Sequence, residues 1–185
     1  MKKIVLCLAA AALVSSSFAA GGDPSEKGVP RSSLKIYSGG AALGVMVPVS
    51  EEFKEDFEDV NNFFEVSFIN SWQFRDNVAL FADISWFAPG KNGGLDAGID
   101  YLFSTSEVKP FVGAGIGGHD FGDGDGFGPS LTAHIGVALD VTETAQVRLR
   151  LPYRVTFVKD MYQGFGFDLG VVFSSKFSKI KKLNY

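Results

Sequence analysis

From Leu34 almost to the C-terminus, apolar and polar residues alternate one by one, which is the period of a β-strand with two unlike faces. In one segment the apolar parity holds Phe64, Val66, Phe68, Trp72 and Phe74. The same alternation recurs at 78–87, 94–103, 130–139, 146–157 and 164–173. Two glycine-rich segments, 34–49 and 110–118, complete the set, and in the second we assign Val112, Ala114 and Ile116 to the apolar face. The pattern predicts about eight strands of roughly ten residues.

The links between the predicted strands alternate in length. Short links follow strands two, four and six, at 75–77, 104–109 and 141–144. Longer links follow strands one, three, five and seven, at 50–63, 88–93, 119–129 and 158–163. Barrels of the outer membrane have short periplasmic turns and longer external loops. We therefore expect an up-and-down meander with Phe53 and Phe121 outside, and with Asn77, Thr142 and both chain ends in the periplasm.

The residues on the polar parity distinguish a membrane barrel from a soluble sandwich or a lipocalin-like barrel. A sheet facing water is expected to carry many Lys, Glu and Thr residues, whereas this parity holds Gly, Ala, Ser, Asp and Arg, and we find no Lys on it in strands two to eight. Small residues suit a crowded lumen. Aromatic residues fall near both strand ends, as in the girdles at bilayer interfaces: Phe64, Trp86, Phe157 and Phe165 at one end, and Trp72, Phe74, Tyr101, Phe103 and Phe173 at the other. We predict an all-β, closed antiparallel transmembrane β-barrel.

The N-terminal nineteen residues have the features of a secretory signal peptide. Lys2 and Lys3 precede a short apolar run, and Ser17-Phe18-Ala19 supplies small residues for cleavage before Ala20. We expect a signal peptide at 1–19, an extended periplasmic leader at 20–33, the barrel at 34–177 and a basic tail at 178–185. Cys7 is the single cysteine and lies in the signal peptide, so we expect no disulfide or thiolate site in the mature chain.

The charge balance is acidic, with 17 basic and 21 acidic residues in the whole chain. Loss of Lys2 and Lys3 with the signal peptide makes the mature chain more acidic still. A protein that binds nucleic acid without sequence preference is normally basic, so we expect no nucleic-acid partner.

The last predicted strand carries a resemblance to a known family. Asp168-Leu169-Gly170-Val171-Val172-Phe173 is similar to the C-terminal assembly signal of the small eight-stranded outer-membrane barrels, such as the transmembrane domain of outer membrane protein A and the outer membrane protein X group. In that class the chain usually ends on the closing aromatic residue, whereas here Ser174 to Tyr185 follow. The resemblance implies a monomer in the outer membrane of a Gram-negative cell, contact with lipid and lipopolysaccharide, and assembly by the barrel assembly machinery through this strand.

Charged residues gather on the enclosed parity and predict a polar network inside the barrel. An eight-stranded barrel is only wide enough for side chains to fill, so opposite charges there are expected to pair. Arg suits such a network because its planar fork binds carboxylates with two hydrogen bonds. The predicted lumen network consists of Glu65, Asp83, Asp96, Asp100, His134, Arg148, Arg150, Arg154 and Asp168.

Other motifs give weaker signals. Asp120, Asp123 and Asp125 could hold a hard cation, but the spacing fails as an EF-hand, so a solvated loop is the favoured interpretation. The glycines of 113–118 are expected to make room for neighbours, not to bind a nucleotide. Residues 50–60 predict a short helix capped by Ser50, with an acidic face that could share divalent cations with lipopolysaccharide.

These features predict a general class of function. His119 and His134 are interpreted as structural, so we expect neither catalysis nor a cofactor. The favoured function is a structural barrel that contributes to envelope integrity, with its lumen plugged by the charged network. A narrow porin-like channel for ions or small solutes is the first alternative, and a surface adhesion module is the second.

Overall fold

The computed structural model describes residues 36–57, 60–75, 77–90, 92–104, 106–121, 127–142, 144–158 and 160–174. The predicted signal peptide, the leader, Asp123, Asp125 and the basic tail lie outside these ranges. Within them the chain forms a helix, α1 (Glu51–Asp56), and eight strands. The strands are β1 (Ile36–Pro48), β2 (Phe63–Arg75), β3 (Val78–Ala88), β4 (Asn92–Leu102), β5 (Val108–Asp120), β6 (Phe127–Asp140), β7 (Ala145–Phe157) and β8 (Met161–Phe173). No helix in the described ranges has the length and apolar character needed to cross a membrane.

Each strand pairs with the next in an antiparallel ladder, and the first strand pairs with the last. β1 meets β8 from Gly39 opposite Phe173 to Pro48 opposite Gly164, which closes the sheet. Closure satisfies the backbone hydrogen bonds along what would otherwise be two open edges. Every observed strand overlaps one predicted segment, so the prediction of a closed eight-stranded meander is confirmed.

The two faces of the wall are chemically opposite. Outward positions hold large apolar side chains that are about half exposed, among them Leu43, Ile99, Ile135 and Leu169. The outward assignment of Val112, Ala114 and Ile116 in β5 agrees with the structure. A continuous apolar surface of this kind is unfavourable in water and suits hydrocarbon.

The aromatic residues assigned to the girdles all lie on this outward face, and none of them is buried. Phe64, Trp86, Phe157 and Phe165 lie at the end of the barrel that carries α1, which we call the helix end. Those near the opposite end, where the short turns lie, are Trp72, Phe74, Tyr101, Phe103 and Phe173. We call this opposite end the turn end. The predicted function of the girdles as anchors in the two membrane interfaces stays a prediction.

The expected alternation of link lengths agrees with the structure only after strands one, two and five. The links 89–91 and 158–160, expected to be longer, have three residues each and are shorter than the links 103–107 and 141–144 at the opposite end, because β3, β4 and β8 extend further along the barrel than the apolar alternation indicated.

Two further sequence-based expectations were wrong. The first concerns α1, which ends at Asp56 instead of Val60; Ser50 makes no side-chain capping bond, because its Oγ accepts a hydrogen bond from the Gln163 amide. The second concerns lysine in the lumen. β5 begins at Val108, two residues before the predicted segment, and this places Lys109 on the inward parity, where it is buried.

Candidate functional site

The lumen is filled by side chains along its length, and an ion triad lies in its middle. Arg150 on β7 donates through Nε to both carboxylate oxygens of Asp168 on β8, at 3.0 and 3.2 Å. Its Nη1 reaches across the barrel to Asp83 on β3. All three side chains are almost fully buried, so the two carboxylates share one guanidinium in a water-poor interior. Such a group is costly to break because each remaining charge would stay desolvated.

A second ionic cluster lies nearer the helix end and is organised by Arg154. Its two terminal nitrogens bind the two oxygens of Glu65, each at 2.8 Å, which is the bidentate geometry preferred by guanidinium and carboxylate. Its Nε donates to Asp96 at 3.3 Å. The Glu65 Oε1 atom also accepts hydrogen bonds from Ser67 and Ser85, at 2.7 and 3.0 Å. Glu65 is therefore held by an arginine and two hydroxyl groups.

Both histidines are buried, and each lies against one aspartate. His134 Nε2 is 2.7 Å from Asp100 Oδ1, and His119 Nε2 is 3.1 Å from Asp96 Oδ2. Asp96 also accepts a hydrogen bond from Ser130 at 3.3 Å. His119 thus belongs to the Arg154 cluster, a partnership that its position in the sequence did not reveal.

Glycines on β5 create the space in which these pairs meet. Gly113 is the register partner of Asp100 on one side and of His134 on the other, so this pair closes over a residue that has no side chain. A Cβ atom at Gly113 would lie 2.2 Å from His134 Nε2 and 2.3 Å from Asp100 Oδ1. Gly117 has the same relation to Asp96, with 2.4 Å from an added Cβ to Oδ1. The glycine-rich segment therefore serves packing inside a narrow barrel.

Arg148 lies toward the turn end in a different arrangement. Its Nε donates to Gln146 Oε1 at 2.7 Å, and its guanidinium lies over the Phe111 ring, 6.0 Å from the centroid. Among the residues that the structure describes, it forms no ion pair with a carboxylate. Gln146 in turn donates to Asp140 at 2.7 Å, and Lys109 pairs with the same carboxylate. Lys109, Asp140 and Gln146 thus extend the polar interior beyond the predicted residues.

The lumen changes character at the helix end, where aromatic residues replace charges. Phe53 of α1 enters the mouth and packs with Met46, Phe63, Phe87, Phe121 and Tyr162. Within this group, Phe87 contacts the charged cluster, with the Arg154 guanidinium 5.5 Å from its ring centroid and the His119 ring at 5.7 Å. We call these six apolar residues the aromatic cap. The cap covers the Arg154 cluster on the side that faces the helix end.

Three buried polar atoms in the network have no hydrogen-bond partner among the described residues: Asp83 Oδ1, Arg150 Nη2 and His119 Nδ1. Asp83 makes one ion pair and Arg150 makes two, so two of these unpaired atoms lie inside the central triad. The lumen is therefore a charged network with unused hydrogen-bonding capacity at its centre.

The structure brings together all nine residues of the predicted lumen network as buried, inward-facing side chains. It adds Lys109, His119, Asp140 and the serines that bind Glu65 and Asp96. Inward parity within the predicted strands marked the three serines, whereas Lys109, His119 and Asp140 lie just outside the predicted segments. The sequence could not give the partners of any of these residues. The described residues contain no group of three or more His, Cys, Asp or Glu side chains placed to hold a metal ion. Asp120 of the weak metal candidate is exposed at the end of β5.

Comparison with solved structures identifies the fold. Neisserial surface protein A (NspA) matches with a TM-score of 0.56 and 18% sequence identity, covering 75% of this chain and 96% of that chain. The N-terminal β-barrel domain of Pseudomonas aeruginosa OprF matches with a TM-score of 0.49 and 15% identity, covering 74% and 96%. Ail, the attachment invasion locus protein of Yersinia pestis, matches with a TM-score of 0.46 and 14% identity, covering 76% and 97%.

No protein-family model and no curated protein matches the chain. The similarity to NspA confirms, at the level of the fold, the expected resemblance to small eight-stranded outer-membrane barrels. The sequence identity is too low to extend the resemblance from fold to activity.

Proposed function

We propose that this protein is a structural barrel of the Gram-negative outer membrane, whose wall contributes to envelope integrity and whose lumen is closed by its own charged side chains. The observation that carries the proposal is the central triad, in which Arg150 connects β7 to Asp83 across the lumen and to Asp168 on the adjacent strand. These contacts fill the middle of a barrel that is only wide enough for side chains. The apolar outer face and the shared fold support the membrane setting.

The orientation belongs to the same proposal. The helix end, which carries the two longest links between strands (49–62 and 121–126), faces outward, and the turn end and both chain termini face the periplasm. The outer wall contacts lipid and lipopolysaccharide, the barrel is a monomer, and β8 is the strand that the assembly machinery recognises. The proposal assigns no catalytic role to the lumen, and it treats the His119 and His134 pairs as structural.

A planar-bilayer measurement tests the closed lumen most directly. The purified wild-type protein should show no steady conductance, because the triad occupies the centre of the only route through the barrel. Arg150→Ala should give sporadic openings, since it removes the cation that joins two carboxylates. Large, stable and ion-selective currents from the wild-type protein would instead establish the porin-like channel.

The orientation is tested by labelling single cysteines on intact cells with an impermeant thiol reagent. Phe53 and Phe121 are buried in the aromatic cap and are unsuitable positions, whereas Glu52 on α1 and Thr142 in a turn are exposed. The proposal expects labelling of Glu52→Cys and protection of Thr142→Cys. The opposite result would invert the topology.

A further inference from the structure

The helix end is closed by an aromatic side chain that comes from a link between strands and not from the wall itself. Phe53 stacks on Tyr162 at 4.8 Å between ring centroids and on Phe63 at 5.5 Å, and it meets Phe121 edge-on at 4.9 Å. These three rings come from β8, β2 and the segment that follows β5. A single side chain of α1 therefore joins three parts of the rim across the opening.

Among the described residues, polar contacts attach α1 to the wall at its two ends. At its start, the Val49 amide donates to the Gln163 carbonyl at 2.8 Å, and Ser50 Oγ accepts from the Gln163 amide at 3.2 Å. At its end, the Tyr162 hydroxyl donates to Asp56. Both attachments are made to neighbouring residues of β8. The helix is thus bound to one side of the mouth, at β8, and the Phe53 side chain extends from it across the opening.

Several features make α1 less stable than the wall. It has six residues, well below the roughly 12 to 15 that an isolated helix needs to be even marginally stable in water. It also lacks a side-chain cap at Ser50. The wall, in contrast, is a closed set of backbone ladders. Segments of this kind open locally while the rest of a protein stays folded.

We propose that α1 is a lid whose opening, independent of the barrel wall, controls access from the helix end to the Arg154 cluster. When the lid is closed, Phe53 and the other cap residues separate that cluster from solvent, and Glu65, Asp96, His119 and Arg154 are all buried. When it lifts, the cap loses its central ring while β1 to β8 keep their pairing. The lid is a second closure, apolar and at the rim, whereas the Arg150 triad is ionic and central. This inference builds on the proposed closed lumen, but not on the orientation of the barrel in a cell.

The test measures how fast a buried thiol reacts beneath the lid. In a Cys7→Ser background an introduced cysteine is the single thiol of the chain. Ser130→Cys places it next to Asp96, below the cap, and Ser71→Cys places it on the inward face of β2 toward the turn end; both positions are buried. The purified barrel in detergent micelles is treated with methyl methanethiosulfonate, so that the reagent reaches both ends.

Phe53→Ala should raise the reaction rate of Ser130→Cys by at least about tenfold, because a large side chain leaves the centre of the cap. The rate at Ser71→Cys should not change. Asp56→Ala alters an exposed residue that does not contribute to the wall, so it provides a second lid variant that keeps the barrel folded. It removes the contact with Tyr162 and should raise the Ser130→Cys rate by a smaller factor. Glu52→Ala, exposed on the same helix, is the matched control and should leave both rates at their wild-type values.

The two cysteine positions distinguish an opening lid from a general loosening of the barrel. An unchanged Ser130→Cys rate in Phe53→Ala and Asp56→Ala would overturn the lid, and so would a parallel increase at Ser71→Cys, which would mean that the whole barrel had loosened. If Phe53→Ala does not fold, Asp56→Ala decides the question alone. Rapid reaction at both cysteines without any lid substitution would contradict the closed lumen itself, so failure of the proposed function is distinguishable from failure of the lid.

Discussion

Leu149 and Arg150 are consecutive residues of β7, yet they depend on different surroundings. Leu149 is 36% exposed on the outer surface, beside other apolar side chains and without a polar partner to satisfy. Arg150 is 4% exposed and is held by Asp168 on the neighbouring strand and Asp83 across the lumen. Leu149 is therefore favourable at its position only when hydrocarbon surrounds the barrel, whereas Arg150 is stabilised by partners within the protein.

The barrel wall reverses the usual arrangement of a soluble protein, with apolar side chains on the outer surface and charged side chains in the interior. Hydrocarbon cannot satisfy a charge, so the outer face carries apolar residues whose identity matters less than their lack of polarity. The lumen holds charges that are tolerated because each ion pair is made inside the barrel. A substitution on the outer face should therefore be judged by its polarity, and one in the lumen by the partner it removes.

The largest effect is expected where a lumen partner is removed. Arg150→Ala leaves Asp83 and Asp168 buried without their shared cation and should lower the free energy of unfolding by about 3 to 5 kcal/mol. Denaturant titration in lipid vesicles, followed by the fluorescence of Trp72 and Trp86, measures the change. Arg75→Ala removes an exposed arginine of β2 and should stay within about 0.5 kcal/mol of wild type. Equal losses for the two variants would contradict the structural importance of the triad.

A somewhat smaller loss is expected when a charge enters the outer face. Leu149→Arg should cost about 2 to 4 kcal/mol if this position meets hydrocarbon near the centre of the bilayer. The same titration measures it, with Thr144→Arg in an exposed turn as the control that should fold normally. Wild-type stability of Leu149→Arg would show that the outer face of β7 is not in lipid.

The smallest of the three effects concerns space within the lumen. Gly113→Ala places a methyl group between Asp100 and His134, where the added carbon would overlap both side chains, and should cost about 1 to 3 kcal/mol. Gly93→Ala is the milder control, because its Cβ would meet only the Ser85 carbonyl oxygen, at 3.2 Å. If Gly93→Ala proves the more damaging, the close packing over Gly113 does not limit stability.

Much of this architecture could be predicted from the order of residues, because the period of two assigns each side chain of a strand to one of two faces. The inward charges of β7, Arg148, Arg150 and Arg154, followed from that parity alone. Lys109 was missed for a local reason: the apolar alternation fades near Pro110, and the strand continues two residues further back through backbone pairing with Leu139 and Ala138. The extent of a strand depends on its partner as well as on its own residues.

Other features arise only when distant parts of the chain meet. Arg154 and Glu65 are 89 residues apart in sequence, and His119 lies beside Asp96 because the β4–β5 register brings these segments together. Phe53 had the spacing of an amphipathic helix, but nothing in residues 50–60 indicated that its ring would meet Phe121 and Tyr162 over the mouth of the barrel.

The order of residues was enough to give the number of strands, their antiparallel succession and the face of each side chain within the predicted segments, because these depend on neighbours within a few residues. Which carboxylate each arginine binds, and what covers the mouth of the barrel, became visible only in the folded chain. Closing the sheet places β7 opposite β3 and brings links from different strands to one rim, so those contacts depend on curvature and register around the whole ring.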